Sequence, residues 1–220
     1  MQDIDPDLDA SASFLDAIKA FDSLEWGFLY RVLASMGVSR RFLEWMRLLY
    51  SAPVSQPQIN GAVSEAFPLS RGTRQGCQLS PLLFVLAMEP LAAQLRQRHA
   101  RYAMRYPSRA TLVSMFADDV TLYLRDPRTS LNPIIQEFIR FGHVSGVLIN
   151  WRKSVIFPLT PHTPEFAMGF PLQWCFDSLK YLGVWITRDP EALIRTNYGV
   201  VVSRLSDQLD RWITLPLSLA

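Results

Sequence analysis

The sequence predicts an α+β fold, an antiparallel sheet backed by helices. Three observations point there: β-prone runs arranged as hairpin pairs, several stretches with apolar residues at helical spacing, and short apolar runs that close on carboxylates.

Taken in order, residues 1–13 are rich in Asp and Ser and are expected to be a frayed leader. Phe14-Leu15-Asp16 reads as the end of a buried strand. Asp22 or Ser23 should cap a helix carrying Trp26, Leu29, Val32, Leu33 and Met36, and Gly37 should stop it. Ser39 should cap a second helix with Phe42, Leu43, Met46, Leu49 and Tyr50. Asn60-Gly61 lies between extended stretches 54–59 and 62–69 and predicts a hairpin. Ser80-Pro81 opens a helix, with Pro expected at its first position. That helix is apolar nearly all round from Leu82 to Leu91 and is expected to be buried.

Runs 111–116 and 120–124 form a second hairpin, with Ala117-Asp118-Asp119 placing two acids at its tip. An amphipathic helix is expected over 131–144 through Ile134, Ile135, Phe138 and Ile139, followed by Gly146. Strand-like segments 147–150 and 154–157 come next, then a Pro-rich surface connection, 158–171. Residues 180–187 read as a strand or hairpin, and 190–212 as a helix.

With 49% hydrophobic and 12% aromatic residues, the 220-residue chain can bury a core. A net charge of +2 is too mild to indicate nucleic-acid binding. Between Glu89 and Asp118, however, there is no acid, and Arg96, Arg98, Arg101, Arg105 and Arg109 all fall there. This run suits either a phosphate backbone or a solvated helix end. Cys77 and Cys175 lack metal-ligand spacing and read as free thiols. The apolar stretch 82–88 is too short to span a bilayer. The chain is expected to be soluble and intracellular, in nucleus or cytoplasm, without membrane association.

The chemistry centres on Asp16 and the pair Asp118-Asp119. Carboxylates at the ends of apolar strands are costly unless compensated, and divalent cations compensate them. Mg²⁺ prefers a few carboxylates together with substrate phosphate oxygens. Two neighbouring strands could bring the three acids together as a two-metal site. Alone, Asp118-Asp119 suits a hairpin turn equally well, and Asp22 reads mainly as a cap.

The run RGTRQGCQLSPLLF, Arg71 to Phe84, separates these readings. It closely resembles the reverse transcriptases of non-LTR (long interspersed element) retrotransposons. Five blocks occur in that family's order: LDAIKAFD from Leu15, RGTRQGCQLSPLLF, FADD from Phe116, SGVLINWRKS from Ser145 and KYLGV from Lys180. The terminal RWITLPLSLA resembles the approach to the family's thumb.

The resemblance implies a reverse-transcriptase palm over 14–187, including a primer-grip hairpin, and the start of a thumb over 188–220, with fingers largely missing. It implies that Asp16, Asp118, Asp119 and the Ala17 carbonyl hold two Mg²⁺ ions, with Mn²⁺ as a substitute. Phe21 matches the steric gate, its alternative being a core aromatic at a helix start. Gln75 and Gly76 match the dNTP-binding turn, beside Arg74 as a phosphate contact. Lys153 matches a lysine assisting pyrophosphate departure, or is a plain surface lysine. Tyr181, Leu182 and Gly183 resemble the primer grip. RNA template, DNA primer and dNTPs follow as partners, and protein partners are unknown.

Two departures stand out: Ile18 where relatives usually carry Glu, and Gln78 where Pro is common. Only 15 residues precede Asp16, so the isolated chain is expected to be weak or inactive. The rival reading is a non-catalytic relic that at most binds nucleic acid. A two-metal nuclease or cyclase would explain the acids but not RGTRQG followed by KYLG.

Overall fold

The computed structural model describes residues 9–106, 109–160, 163–166 and 169–213. The first part of the expected leader (1–8) and the last residues of the thumb-like segment (214–220) lie outside these.

In chain order the elements are β1 (Ser11–Leu15), α1 (Ala20–Ser23), α2 (Trp26–Ser35) and α3 (Arg40–Leu49), then four short strands, β2 (Val54–Ser55), β3 (Gln58–Ile59), β4 (Ala62–Val63) and β5 (Phe67–Pro68). There follow α4 (Leu79–Arg98), β6 (Met104–Tyr106), β7 (Arg109–Thr111), β8 (Val113–Phe116), β9 (Asp119–Leu124), α5 (Pro127–Ser145), β10 (Val155–Pro158) and β11 (Gln173–Trp174). The chain continues through β12 (Ser178–Tyr181), β13 (Val184–Thr187) and α6 (Pro190–Ile213). Residues through Trp174 form one compact unit and Cys175 onward a second.

The first unit is built on a five-stranded sheet ordered β11-β10-β1-β9-β8. Central β1 runs antiparallel to both neighbours, and only edge strand β11 is parallel to its partner. The leader expected over 1–13 therefore gives way to strand at Ser11, where small residues pack at the middle of the sheet. Side chains alternate between faces. Leu15 pairs with Val120, and Ser13 and Ser11 pair with Leu122 and Leu124, so these side chains share one face. All six are buried. Helices α4 and α5 pack against β8 and β9 respectively, and α2 packs on both helices.

Several local expectations hold. Ser39 accepts a hydrogen bond from the Phe42 N–H and caps α3. Gly37, at φ +79°, ends α2 while Val38 N–H returns to the Leu33 carbonyl. Asn60 (φ +50°) and Gly61 (φ +84°) turn between Ile59 and Ala62 as the hairpin pattern requires.

Others are corrected. Neither Asp22 nor Ser23 caps the helix bearing Trp26. A separate turn of helix, α1, contains both, and α2 begins after Glu25. Pro81 sits at the third position of α4 rather than the first. That helix is not buried all round: Leu83, Phe84, Ala87, Met88 and Leu91 enter the core, but Leu82 is 62% exposed and Val85 and Leu86 are also exposed. By length and composition α4 is the one described helix that could cross a membrane, and its buried face is the core of the first unit. Helix α5 starts earlier than expected, at Pro127, capped by the Asp126 carboxylate. Segment 147–150 makes only a bridge, Ala17 to Ile149, instead of a full strand.

The Pro-rich connection is not simply a surface loop. Thr160 and Thr163 are buried and hydrogen-bond each other and the Ala10 backbone, and Phe166 packs edge-on against Trp174. Part of the arginine run is likewise claimed by acids. Arg96 pairs with Glu89 at 2.9 Å. Glu137, only 4% exposed, meets Gln94, His99 (3.3 Å), Arg98 (3.8 Å) and Arg140 (3.0 Å), tying α4 to α5.

In the second unit, β12 and β13 form a hairpin turning at Leu182 (φ +48°) and Gly183 (φ +83°). Helix α6 packs on β13, where the Asn197 amide accepts from the Trp185 N–H (2.8 Å) and donates to the Trp185 carbonyl (2.7 Å). The hairpin and α6 thus pack together within the second unit. Cys77 and Cys175 are free thiols.

Candidate active site

Asp16 leaves β1 one residue beyond the Leu15–Val120 pair, opposite the point where Asp119 enters β9. Alternation turns both carboxylates to the face opposite Leu15 and Val120. Asp118 occupies the two-residue turn joining β8 to β9, since Phe116 pairs directly with Asp119. The acids therefore straddle the turn and its following strand and do not both crown the tip. Ala117 makes the turn possible at φ +52°, a left-handed conformation costly for a residue with a Cβ.

Asp119 lies in the field of the other two acids. Burial pushes the Asp119 pKa upward, and the Asp118 and Asp16 charges push it further. Among the described residues none of the three forms an ion pair, so no neighbouring cation relieves that repulsion. Among the described residues no group of three His, Cys, Asp or Glu side chains is arranged to hold a metal ion. An oxygen-only donor set with unrelieved charge fits a hard divalent cation whose shell is completed by substrate phosphates and water.

The backbone at Asp16 is held from the far side of β1. Asn150 N–H donates to the Asp16 carbonyl (2.7 Å), and Ile18 N–H donates to the Leu148 carbonyl (2.8 Å). These bonds flank the Ala17–Ile149 bridge, so the Ala17 peptide groups point the other way, toward the β9 side. Buried Ser154 accepts from the Asp16 N–H at 3.1 Å and donates to the Asn150 carbonyl at 2.9 Å. Gly146, at φ +79°, lets α5 end against α1: a Cβ there would collide with the Ser23 carbonyl oxygen. Lys153 is exposed in the turn between Asn150 and Ser154.

The RGTRQG segment is stitched to α1. Gly72 N–H donates to the Leu24 carbonyl (2.8 Å) and Thr73 N–H to the Phe21 carbonyl (2.5 Å), while the Trp26 indole donates to the Gly72 carbonyl (2.6 Å). The Gln75 amide donates to Asp22 at 3.3–3.4 Å. Asp22, read from sequence as a cap, instead orients Gln75. Gly76 has φ +77° with open space around it. Phe21 stacks on buried Phe84 with centroids 4.8 Å apart. A cleft of about 360 Å³ is lined by Phe21, Arg74, Gln75, Gly76, Ser80, Pro81 and Asp118.

The structure thus sets Asp16 across from Asp119 on paired strands, with Asp118 in the adjoining turn and Ala17 next along the chain, and lines one cleft with Phe21, Arg74, Gln75, Gly76 and Asp118. Tyr181, Leu182 and Gly183 belong to the second unit. Sequence reasoning missed Ser154 and Asp22 as positioning groups. Ser154 stood inside the SGVLINWRKS block, but its partner lies 138 residues away.

Residues 5–186 match the family model described as reverse transcriptase (RNA-dependent DNA polymerase). Among curated relatives, the chain is 27% identical over 205 residues (90% of the chain) to the transposon TX1 uncharacterized 149 kDa protein of Xenopus laevis. It is 31% identical over 139 residues (63% of the chain) to the retrovirus-related Pol polyprotein from type-2 retrotransposable element R2DM of Drosophila melanogaster. The chain spans 15% and 13% of those two proteins. Among solved structures, telomerase from Candida albicans in complex with a TWJ fragment of telomeric RNA matches with TM-score 0.57 at 13% identity, covering 85% of this chain and 31% of that one. Apo telomerase from Candida tropicalis, truncated from its C-terminal domain, matches with TM-score 0.55 at 11% identity, covering 81% and 34%. At these identities the likeness is one of fold.

Proposed function

The chain belongs to the reverse transcriptase (RNA-dependent DNA polymerase) family, and from that premise we propose that it carries the nucleotidyl-transfer centre of a non-LTR retrotransposon polymerase. The reaction is template-directed addition of deoxynucleotides to a primer 3′-hydroxyl on an RNA template, with loss of pyrophosphate. The relatives' retrotransposon names support the element class.

The observation that carries this reading is the 360 Å³ cleft joining Phe21, Arg74, Gln75 and Gly76 to Asp118. These residues come from three separate sequence blocks and line one pocket. In the proposed chemistry Gln75, oriented by Asp22, hydrogen-bonds the incoming nucleotide, while Arg74 faces its phosphates. Phe21 fills the space of a 2′-hydroxyl, and Gly76 leaves its backbone open to the substrate. Asp16, Asp119, Asp118 and the Ala17 carbonyl would hold two Mg²⁺ ions, which when bound activate the primer hydroxyl and steady the leaving oxygen. Lys153 is placed in this scheme as the donor that eases pyrophosphate away, and the Tyr181-Leu182-Gly183 turn as the hold on the primer end.

Primer extension on a primed RNA template with dNTPs and Mg²⁺ tests the proposal. Incorporation that Asp118→Asn abolishes is the expected result. Binding of the primed template that weakens steeply with salt, without incorporation by the parent chain, would favour the relic.

A further inference from the structure

The scheme above leaves the arginine run between Glu89 and Asp118 without a role. Within that run Arg98 meets Glu137 and Arg101 lies over the Tyr102 ring, but Arg96 and Arg109 both line a cleft of about 450 Å³ with Thr111 and Ser114. A smaller hollow of about 100 Å³, lined by Val85, Met88, Glu89 and Ala117, adjoins it, and Arg96 and Met115 belong to both. Together they make one groove between α4 and β8. Along α4, Val85, Met88, Ala92 and Arg96 recur at helical spacing and share the face that lines this groove.

Strand β8 lies at the edge of the five-stranded sheet, and one hydrogen bond fixes which of its peptide groups face outward. The Tyr123 N–H donates to the Leu112 carbonyl opposite it at 2.8 Å. Bonded and non-bonded pairs alternate along an antiparallel ladder. Ser114–Thr121 and Phe116–Asp119 are therefore bonded pairs, whereas Val113 and Met115, opposite Leu122 and Val120, turn their N–H and C=O groups away from β9. Both residues line the groove. It thus presents two peptide donors and two peptide acceptors, repeated at the strand's two-residue spacing of about 7 Å.

That edge discriminates between ligands. Phosphate oxygens accept hydrogen bonds and donate none, so a row of phosphates would leave the Val113 and Met115 carbonyls unpaired. An extended polypeptide supplies donors and acceptors alike, as strands added to a sheet edge do. Its side chains two positions apart fall on one side, one over Val85, Met88 and Met115, the next between Arg96 and Arg109. Arg109 makes no ion pair among the described residues. Arg96 pairs with half-exposed Glu89, a weak contact that an incoming carboxylate can replace. We propose that the free edge of β8 docks an extended polypeptide carrying an apolar residue two positions from an acidic one.

The test uses the 220-residue chain and a fluorescein-labelled, end-blocked peptide, Thr-Val-Thr-Leu-Thr-Asp-Thr-Thr, titrated by fluorescence anisotropy. Saturable binding is expected. Arg109→Ala should weaken it by about three- to tenfold, the scale of one charge-assisted hydrogen bond at an exposed site, and Asn in place of the peptide's Asp should do the same. N-methylation of the peptide along its bonding edge should abolish binding. At saturation, hydrogen exchange of the Val113 and Met115 amides should slow, while that of the Ser114 amide, already paired with Thr121, stays as it was. Should Arg109→Ala unfold, the peptide variants and the exchange pattern of the parent chain decide. No saturable binding at millimolar peptide, or binding that N-methylation leaves unchanged, overturns the proposal. Val113 and Met115 amides already protected in a chain that sediments as a dimer give the edge to a second copy and overturn it as well. So does a single-stranded RNA that protects those amides where the peptide does not, which would give the groove to phosphate.

Discussion

The Ser154 hydroxyl accepts a hydrogen bond from the Asp16 peptide N–H at 3.1 Å while donating to the Asn150 carbonyl at 2.9 Å. Ser154 is fully buried, so this one hydroxyl fixes the backbone on which the first acid is carried. Ser154→Ala leaves a partly buried N–H without its acceptor, at a cost of about 1–3 kcal/mol. At about 2–4 °C per kcal/mol for a chain of this size, melting should fall by several degrees. Mg²⁺-dependent stabilisation should weaken too, because Asp16 loses its anchor. A variant that melts like the parent would show that water or a neighbouring group replaces the hydroxyl.

Gly72 and Gly76 occupy the same turn yet answer to different constraints. A Cβ on Gly72 would stand 2.9 Å from both the Asp22 Cα and its carbonyl oxygen, at φ +93°. Backbone atoms cannot rotate away, so Gly72→Ala should cost about 2–5 kcal/mol through strain and overpacking together. Gly76 meets nothing within 4 Å at φ +77°, and Gly76→Ala should cost only the conformational penalty, about 1–2 kcal/mol. Denaturant unfolding of the two variants checks this order. A Gly76 variant as unstable as the Gly72 one would contradict it.

Burial, then Asp118 and Asp16, raise the Asp119 pKa. A folded pKa above the unfolded one means that protonation favours the fold. That contribution is complete below the unfolded pKa and is lost as pH rises through the folded one. Asp119→Asn carries no such charge, so in metal-free buffer it should melt above the parent at neutral pH. The difference should be about 1–3 °C, since the site is partly screened by water, and should close toward about pH 3, below the usual carboxylate range. Adding Mg²⁺ at neutral pH should raise the parent's melting temperature more than the variant's. A variant that melts lower than the parent at neutral pH would remove the repulsion argument.

Legibility from sequence followed the range of each interaction. The Asn60-Gly61 turn, the Ser39 cap and the Gly37 stop are local, and each stands where side-chain chemistry puts it. The paired strands ending in acids were readable because alternation and the carboxylates occupy the same few residues. Helix α1 was not, because four residues entered through left-handed Lys19 (φ +43°) carry no periodic signal. The open side of α4 was equally hidden, since an all-apolar run does not reveal which face meets the sheet. Asp22 and Ser154 show the same limit from another side: their partners Gln75 and Asp16 lie 53 and 138 residues away, and only the fold joins them.

Phe21 serves two structures at once, which makes its role separable by experiment. One face stacks on Phe84, centroids 4.8 Å apart, while the ring also lines the cleft beside Gln75 and Asp118. Phe21→Val shortens the side chain, costing packing against Phe84 and opening room in the cleft. If the ring is only a core aromatic, extension with deoxynucleotides and with ribonucleotides should fall in equal proportion as stability falls. If it occupies the place of a 2′-hydroxyl, ribonucleotide use should rise relative to deoxynucleotide use by about 10–100-fold, the range one small group in a pocket commands. The ratio of the two kcat/KM values is the decisive readout, because a loss of folded protein cancels from it.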